Sequence, residues 1–240
     1  MQPKCKSASL IYVVDDDRDV RAGVSRLFRS MGLKVVTFGS STDFLKYKRP
    51  EKTSCLILDV RLPGLSGLEL QAELAKAAVH IPLVFITGYG DIPMSVKAIK
   101  AGAIDFLTKP VRERDLLEAV RQALERDRAK REIDTKGRDL RLRFQALSSR
   151  ERQVMSLVCS GLPNKKAGAQ IGVSEETVKV HRHNVMKKLG ARSLPELVRM
   201  ADSLGLVCQG HIPTDDNHRI GLVLSPAGHP PNKDTVPVRL

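Results

Sequence analysis

The sequence predicts a five-stranded parallel α/β domain, doubly wound, followed by a smaller all-α domain. Five short apolar runs between residues 10 and 107 alternate with segments of helical periodicity, a pattern typical of a parallel sheet covered by helices on both faces. Residues 147–205 carry only helical patterns. The length of 240 residues suits one or two domains, and 42% hydrophobic residues suits globular cores.

The apolar runs predict five buried strands: Leu10–Val14, Leu33–Phe38, Cys55–Leu58, Leu83–Ile86 and Ile104–Leu107. Four stripes of apolar residues at helical spacing lie between and after them: Val20 to Met31, Leu68 to Ala78, Val96 to Ala103, and Leu116 to Leu124. We therefore place the first domain at residues 8–126.

A charge-dense segment follows at residues 127–146, which we interpret as a linker that extends the fifth helix and is broken near Gly137. Beyond it we predict an all-α domain over residues 147–205. Residues 206–240 contain five prolines and no lasting period, so we expect a disordered tail.

The all-α segment offers several helix boundaries. Ser149 could cap a helix from Arg150, with Arg152 standing where a capping box needs an acid. A short helix is predicted from Asn164 to Ile171. Ser174 would cap a long helix through Leu189, and Gly190 would end it. A fourth helix is predicted from about Leu194 to Leu204.

The formal net charge of +13 is concentrated, since the excess of Lys and Arg is densest between residues 126 and 205. Such an excess suits a polyanion partner, although a solvated basic face would look the same. Four scattered cysteines suit a reducing compartment, and no apolar run reaches the roughly 18 residues of a membrane span. We expect a cytoplasmic protein that has no membrane partner.

Polar side chains end four of the five predicted strands. Asp15, Asp16 and Asp17 follow the first strand, Asp59 the third, Thr87 the fourth and Lys109 the fifth. Parallel strands bring their carboxyl ends to one edge of the sheet, where ligands bind. Adjacent carboxylates there call for a hard cation such as Mg²⁺.

The same group of residues could carry phosphoryl chemistry. Asp59 could attack phosphorus, while Thr87 hydrogen-bonds a phosphoryl oxygen and Lys109 supplies positive charge. Each residue alone has a plainer interpretation: an acid capping a helix, a strand-forming threonine, an exposed lysine. Their occurrence at corresponding strand ends favours the chemical one.

Residues 10–125 resemble the receiver domain of two-component signalling, which has a flavodoxin-like fold. The resemblance rests on four motifs, which are VVDDD, LILDVRLPGLSG with Asp59, Pro63 and Gly67, ITGYGD with Thr87, and DFLTKP with Lys109 and Pro110. It implies that Asp59 is the phosphoacceptor and that Mg²⁺ binds Asp15, Asp16, Asp59 and the main-chain carbonyl of Arg61. It also implies that Arg61 and Tyr89 tune hydrolysis, and that the Lys109–Pro110 bond is cis.

The resemblance further implies a switch. Phosphorylation would draw Thr87 toward the phosphoryl group and let Phe106 turn inward, changing the surface around residues 93–106. In FixJ-like relatives that surface dimerises. A static core aromatic remains the alternative for Phe106.

The long helix after Ser174 has two distinct faces at about 100° per residue. Val178, His181, Val185 and Leu189 share the face expected to pack. Basic and small apolar residues lie on the other, as in a helix that enters a major groove. Lys179 could donate to guanine and Val180 could touch a thymine methyl. Five residues are better placed for phosphates: Asn164, Lys165, Thr177, Arg182 and Lys188.

The all-α segment resembles the LuxR-type helix-turn-helix of the FixJ/NarL family, through its R-E-R opening, its G-L-x-N-K turn, its S-x-x-T-V-K-x-H helix and its final K-x-L-G-A-R-S. By resemblance Lys179, Val180 and His183 face bases, and Lys187 lies on the same side. Ala167 and Gly168 depart from the family pattern, and the glycine predicts a helix looser by roughly 1 kcal/mol.

These features together predict a phosphorylation-activated transcriptional regulator rather than an enzyme. Its expected partners are a sensor histidine kinase, double-stranded promoter DNA, a second copy of the chain and RNA polymerase. An aspartyl-phosphate phosphatase is the enzymatic alternative, but such enzymes usually need an acid where this chain has Arg61. A ligand-sensing LuxR-type regulator is the other alternative, and it gives the strand-end acids no role.

Overall fold

The computed structural model describes residues 9–88 and 92–206, so Tyr89 and the predicted tail beyond Leu206 lie outside the described residues. The chain divides into two compact units at Ile133 and Asp134. Within the described part of the chain, no helix combines the length and the apolar character that crossing a membrane requires.

The first unit alternates strands and helices. Its strands are β1 (Leu10–Val14), β2 (Lys34–Phe38), β3 (Ser54–Asp59), β4 (Leu83–Thr87) and β5 (Asp105–Thr108). Its helices are α1 (Arg18–Ser30), α2 (Ser41–Lys46), α3 (Gly67–Lys76), α4 (Ile92–Lys100) and α5 (Glu113–Gln145), the last of which continues into the second unit. All strand pairs are parallel, in the order β2-β1-β3-β4-β5, which confirms the predicted doubly wound sheet.

Alternate side chains along β1 point to opposite faces of the sheet, and each face has its own hydrophobic core. Leu10, Tyr12 and Val14 pack on one face with residues of α2, α3 and α4, while Ile11 and Val13 pack on the other with residues of α1 and α5. All five are buried, because helices cover both faces. The sheet therefore presents only its edges and strand ends to ligands.

The described part of the second unit, residues 134–206, contains helices and no strand, as predicted. The end of α5 is followed there by α6 (Ser149–Cys159), α7 (Asn164–Ile171), α8 (Glu175–Leu189) and α9 (Leu194–Ser203). Val178 on α8 packs with α6 and α7, whereas Val185 and Leu189 pack with α9 and with Phe144 of α5. Gly172 and Gly190 end α7 and α8 in the left-handed conformation that glycine adopts readily.

The structure corrects one predicted helix bound and adds one helix that was not predicted. Helix α5 is continuous through Gly137 rather than broken there. A single glycine costs about 1 kcal/mol in a helix, and ion pairs one turn apart on either side, Asp127 with Arg131 and Asp139 with Arg143, help to offset it. Helix α2 was not anticipated, because six residues are too short for a periodic stripe.

The start of α6 and the packing of α7 also differ from the prediction. The N-cap is Ser148, not Ser149, and Glu151 completes a capping box, so the acid missing at Arg152 is present one residue earlier. Gly168 does not simply loosen α7. A β-carbon there would lie 2.7 Å from the main-chain oxygen of Val173, so glycine permits the close approach of the turn before α8.

Candidate functional site

The loop after β1 holds the first two carboxylates at the carboxyl edge of the sheet. Asp15 is fully buried, and its Oδ1 accepts a hydrogen bond of 2.9 Å from the main-chain N–H of Asp17. Asp17 instead caps α1 by accepting from the main-chain N–H groups of Asp19 and Val20. The guanidinium of Arg21 donates to the main-chain oxygens of Asp15 and Asp16 at 2.6 and 2.9 Å. The Arg21 side chain therefore stabilises the loop by binding the main-chain oxygens of Asp15 and Asp16.

Asp59 is the last residue of β3 and only 5% exposed. Its Oδ1 accepts a hydrogen bond of 3.0 Å from the main-chain N–H of Arg61. Gly67, the first residue of α3, lies directly behind it. A β-carbon at Gly67 would overlap the main-chain oxygen of Asp59 and approach the ring of Phe85 to 3.1 Å. The strand that carries Asp59 therefore ends against a position where only glycine fits.

Lys109 joins the two buried carboxylates. Its Nζ lies 2.7 Å from Asp15 Oδ2 and 2.6 Å from Asp59 Oδ2. The next peptide bond, to Pro110, is cis, as expected. Burial raises the pKa of Asp15, an effect that the hydrogen bond from Lys109 opposes without cancelling it. Burial lowers the pKa of Lys109, but hydrogen bonds to both carboxylates outweigh it, and the pKa rises. Lys109 therefore remains charged.

The three acids at this edge suit a hard divalent cation. One carboxylate oxygen from each of Asp15, Asp16 and Asp59 lies within 4.8 Å of the others. Asp15 and Asp59 are buried while Asp16 is exposed, so the group opens to solvent on one side. Mg²⁺ prefers such oxygen ligands and keeps several waters. The donor set therefore fits the predicted ion.

Thr87 and Phe106 lie on the neighbouring strands. Thr87 ends β4 and is fully buried, and its main-chain oxygen accepts a hydrogen bond of 2.7 Å from Lys109 N–H. Phe106 in β5 is partly buried, with its ring centroid 6.0 Å from that of Phe85. On α4, Ile92, Val96 and Ile99 are exposed at a spacing that places them on one face. The exposed side chains of these three residues therefore form an apolar surface on α4, the helix that precedes the strand of Phe106.

Helix α8 presents the second candidate site. Val178, Val185 and Leu189 are buried and His181 is partly buried, as the predicted packed face requires. The opposite face is exposed and includes Lys179, Val180, His183 and Lys187. Lys179 Nζ lies 2.7 Å from Glu176 Oε1 and 3.7 Å from Glu175 Oε1. The predicted base-facing residues thus lie together on a surface available to a ligand.

The residues predicted to contact phosphates lie on α7 and α8. Asn164 begins α7, followed by the exposed Lys165, and Arg182 is partly buried on α8. Thr177 shares a hydrogen bond of 2.8 Å with Ser174, beside the cap of α8. Lys188 is different, because its ammonium lies 2.7 Å from the buried Glu151. Lys188 is therefore already engaged in holding α8 against α6.

Both units match known families over most of their length. Residues 11–121 match the family described as "Response regulator receiver domain". Residues 145–201 match "Bacterial regulatory proteins, luxR family". Nodulation protein W of Bradyrhizobium diazoefficiens is 52% identical over 85% of this chain and 89% of its own length.

The chain is a response regulator with a LuxR-type DNA-binding domain. The transcriptional regulatory protein FixJ of Rhizobium meliloti is 42% identical over 80% of this chain and 94% of its own length. The structure of the response regulator StyR is similar with a TM-score of 0.75 and 47% identity, covering 82% of this chain and 99% of that one. The predicted fold class and the general function, a transcriptional response regulator, are confirmed.

The structure brings the receiver residues predicted from strand ends into one place, and their chemical roles stay predictions. Sequence reasoning missed three supporting residues. Arg21 carried no signal beyond its position on a helix. Asp127 of α5, whose carboxylate accepts a hydrogen bond from the main-chain N–H of Ser54 at the start of β3, was one acid in a charge-dense segment. Glu151, a third, was detectable as the acid of a Ser-x-x-Glu box.

Proposed function

We propose that Asp59 of this response regulator accepts a phosphoryl group from a sensor histidine kinase and that the modified protein dimerises and binds promoter DNA through α8. The convergence of Asp15, Asp59 and Lys109 within hydrogen-bonding distance carries the proposal. A carboxylate nucleophile beside a fixed ammonium and further acids suits transfer of a phosphoryl group. The protein would act in the cytoplasm, where promoter DNA lies, and would contact RNA polymerase there.

The transfer itself needs little from the chain beyond position and charge. A carboxylate oxygen of Asp59 forms the new O–P bond while the P–N bond of the kinase phosphohistidine breaks, and the imidazole keeps that electron pair and takes up a proton. Lys109 balances charge on the phosphoryl oxygens, and Thr87 donates a hydrogen bond to one of them. Mg²⁺ held by Asp15, Asp16, Asp59 and the carbonyl of Arg61 would supply further positive charge. Arg61 occupies the position of the acid that rapid turnover requires, so we assign Asp59 to a switch.

The response is proposed to reach the surface through Thr87 and Phe106. Thr87 moves toward the phosphoryl group, and Phe106, now partly buried against Phe85, moves further inward. The exposed apolar residues Ile92, Val96 and Ile99 of α4 support dimerisation at this surface, because burial of such a patch favours association. Dimers would then place two copies of α8 on paired half-sites.

Asp59→Asn tests the proposal, with Asp43→Asn as the control because Asp43 is an exposed carboxylate of α2. Acetyl phosphate and Mg²⁺ would be added to the full chain, with phosphorylation followed by mass spectrometry and association by analytical ultracentrifugation. We expect the wild type and Asp43→Asn to become phosphorylated and to dimerise, and Asp59→Asn to do neither. Phosphoryl-dependent dimerisation of Asp59→Asn would refute the assignment.

A further inference from the structure

The exposed face of α8 contains one carboxylate at its centre. At about 100° per residue, Glu176, Val180, His183 and Lys187 lie within about 40° of the direction opposite the buried Val178. The Glu176 side chain is 79% exposed. Glu175 lies only about 60° from Val178, at the edge of the face. Glu176 is therefore placed where a helix in the major groove meets base edges.

Glu176 is also paired with a residue predicted to face bases. Its Oε1 lies 2.7 Å from Lys179 Nζ, and this hydrogen bond raises the pKa of Lys179. Glu175 is farther from the same ammonium, at 3.7 Å. A hydrogen-bond acceptor and a donor thus stand side by side on the exposed face, one helical turn apart.

A carboxylate at this position is unfavourable for binding DNA in general. It repels the phosphate backbone and neutralises part of the charge of Lys179. It becomes favourable only where it meets a hydrogen-bond donor in the groove, and the N4 amino group of cytosine is the donor that Glu suits. The guanine paired with that cytosine offers the acceptors that suit Lys.

We propose that Glu176 is a specificity-determining residue that accepts a hydrogen bond from the N4 amino group of a cytosine, beside Lys179 donating to guanine. The pair would select one C·G base pair, or two adjacent ones, in each half-site. This inference rests on the proposed use of α8 to bind DNA. The competing explanation is that Glu176 only stabilises the helix N-terminus, a role that Glu175 would share equally.

Glu176→Gln and Glu175→Gln form a matched pair, since each removes one negative charge from the first turn of α8. The full chain, with Mg²⁺ and acetyl phosphate, would select sites from a randomised duplex DNA library. We expect the wild type and Glu175→Gln to select the same motif. Glu176→Gln should lose a cytosine preference at one position by roughly tenfold and accept adenine there, because Gln suits adenine. It should also bind unselected duplex more tightly.

The outcomes distinguish failure of the proposed role of Glu176 from failure of the proposed DNA binding by α8. A wild-type motif that Glu176→Gln retains unchanged would overturn the role of Glu176 while leaving DNA binding by α8 intact. Loss of the same preference in both variants would show that the charge acts through the helix terminus, which also overturns it. No motif for the wild type would count against the proposed function itself. Glu176→Ala, which has no acceptor, should lose the cytosine preference without gaining adenine.

Discussion

The carboxylate of Asp127 on α5 accepts a hydrogen bond of 2.9 Å from the main-chain N–H of Ser54, the first residue of β3. Asp127 is 2% exposed, and Arg131 Nε donates to the same oxygen at 2.6 Å. Ser54 and Asp127 are 73 positions apart in sequence. Asp127 therefore ties α5 to the start of the strand that ends at Asp59.

Asp127→Ala should lower the free energy of unfolding of the receiver domain by about 2–3 kcal/mol, because it leaves the buried N–H of Ser54 without a partner. Asp127→Asn, which keeps an acceptor, should lose less. Urea denaturation of the full chain measures both, with Asp134→Ala, an exposed acid of the same helix, as the control. Equal stability of Asp127→Ala and the control would show that this hydrogen bond contributes nothing.

Gly168→Ala should destabilise the DNA-binding domain by about 1–3 kcal/mol despite alanine's higher helix propensity. The added β-carbon would lie 2.7 Å from the main-chain oxygen of Val173, so the turn before α8 has to shift. Gly137→Ala in α5 is the matched change, because its β-carbon meets nothing within 4 Å. It should stabilise the chain by roughly 0.5–1 kcal/mol. Thermal unfolding followed by circular dichroism should give opposite signs for the two variants.

Glu151 should make the DNA-binding domain sensitive to acid. Burial raises its pKa, but hydrogen bonds from Lys188 and from the Ser148 N–H and hydroxyl outweigh that effect, so the pKa is lowered on folding. The stabilisation is therefore present above the unfolded pKa of about 4.3 and is lost as the pH falls through the lower folded pKa. Glu151→Gln should cost about 1–2 kcal/mol at pH 7.

Urea denaturation at pH 7 and near pH 3 would measure this contribution as the difference between the wild type and Glu151→Gln. The difference should shrink at the lower pH. Glu69→Gln is the control, because Ser66 and Glu69 form the same capping box on an exposed surface without a lysine. We expect a smaller loss there. An equal difference at both pH values would contradict the coupling of Glu151 to Lys188.

Arg21→Met should weaken Mg²⁺ binding by about tenfold, as loss of a residue that orients metal ligands does. The guanidinium holds the main-chain oxygens of Asp15 and Asp16, so its loss frees the loop that carries both. Arg18→Met is the control, because it removes the same charge from the exposed start of α1, where the Arg18 side chain makes no hydrogen bond or ion pair within the described residues. Loss of this positive charge alone should slightly strengthen Mg²⁺ binding. Isothermal titration with MgCl₂ distinguishes the two. Tighter binding by Arg21→Met would mean that only its charge matters.

Much of the fold was predictable because the strands here are buried on both faces. The continuous apolar run Leu10–Val14 coincides with the observed bounds of β1. Helix α8 ends at Gly190, as predicted. The continuity of α5 was not predictable from Gly137 alone, since it depends on the balance between one glycine and the pairs around it. Short α2 left no periodic signal.

The acidic site was predictable for a topological reason. Asp15, Asp59 and Lys109 each follow a strand, and parallel pairing brings those ends together whatever the details of packing. Contacts between distant helices have no such rule. Glu151 and Lys188 meet across 37 residues, and nothing in either segment indicates the partner. Lys188 was for that reason assigned to phosphate contact.

The close approach of Gly67 to the main chain of Asp59 limits which residues this position can accept. Any other residue brings a β-carbon into the space of the Asp59 main-chain oxygen, so every missense change at this codon disturbs Asp59, whatever the new side chain offers. The side chains of Arg61 and Pro63 are exposed, so a changed side chain at either position meets no such steric barrier. A substitution at Gly67 would therefore displace Asp59 by moving the end of its strand, although it leaves every side chain of the acidic group unchanged.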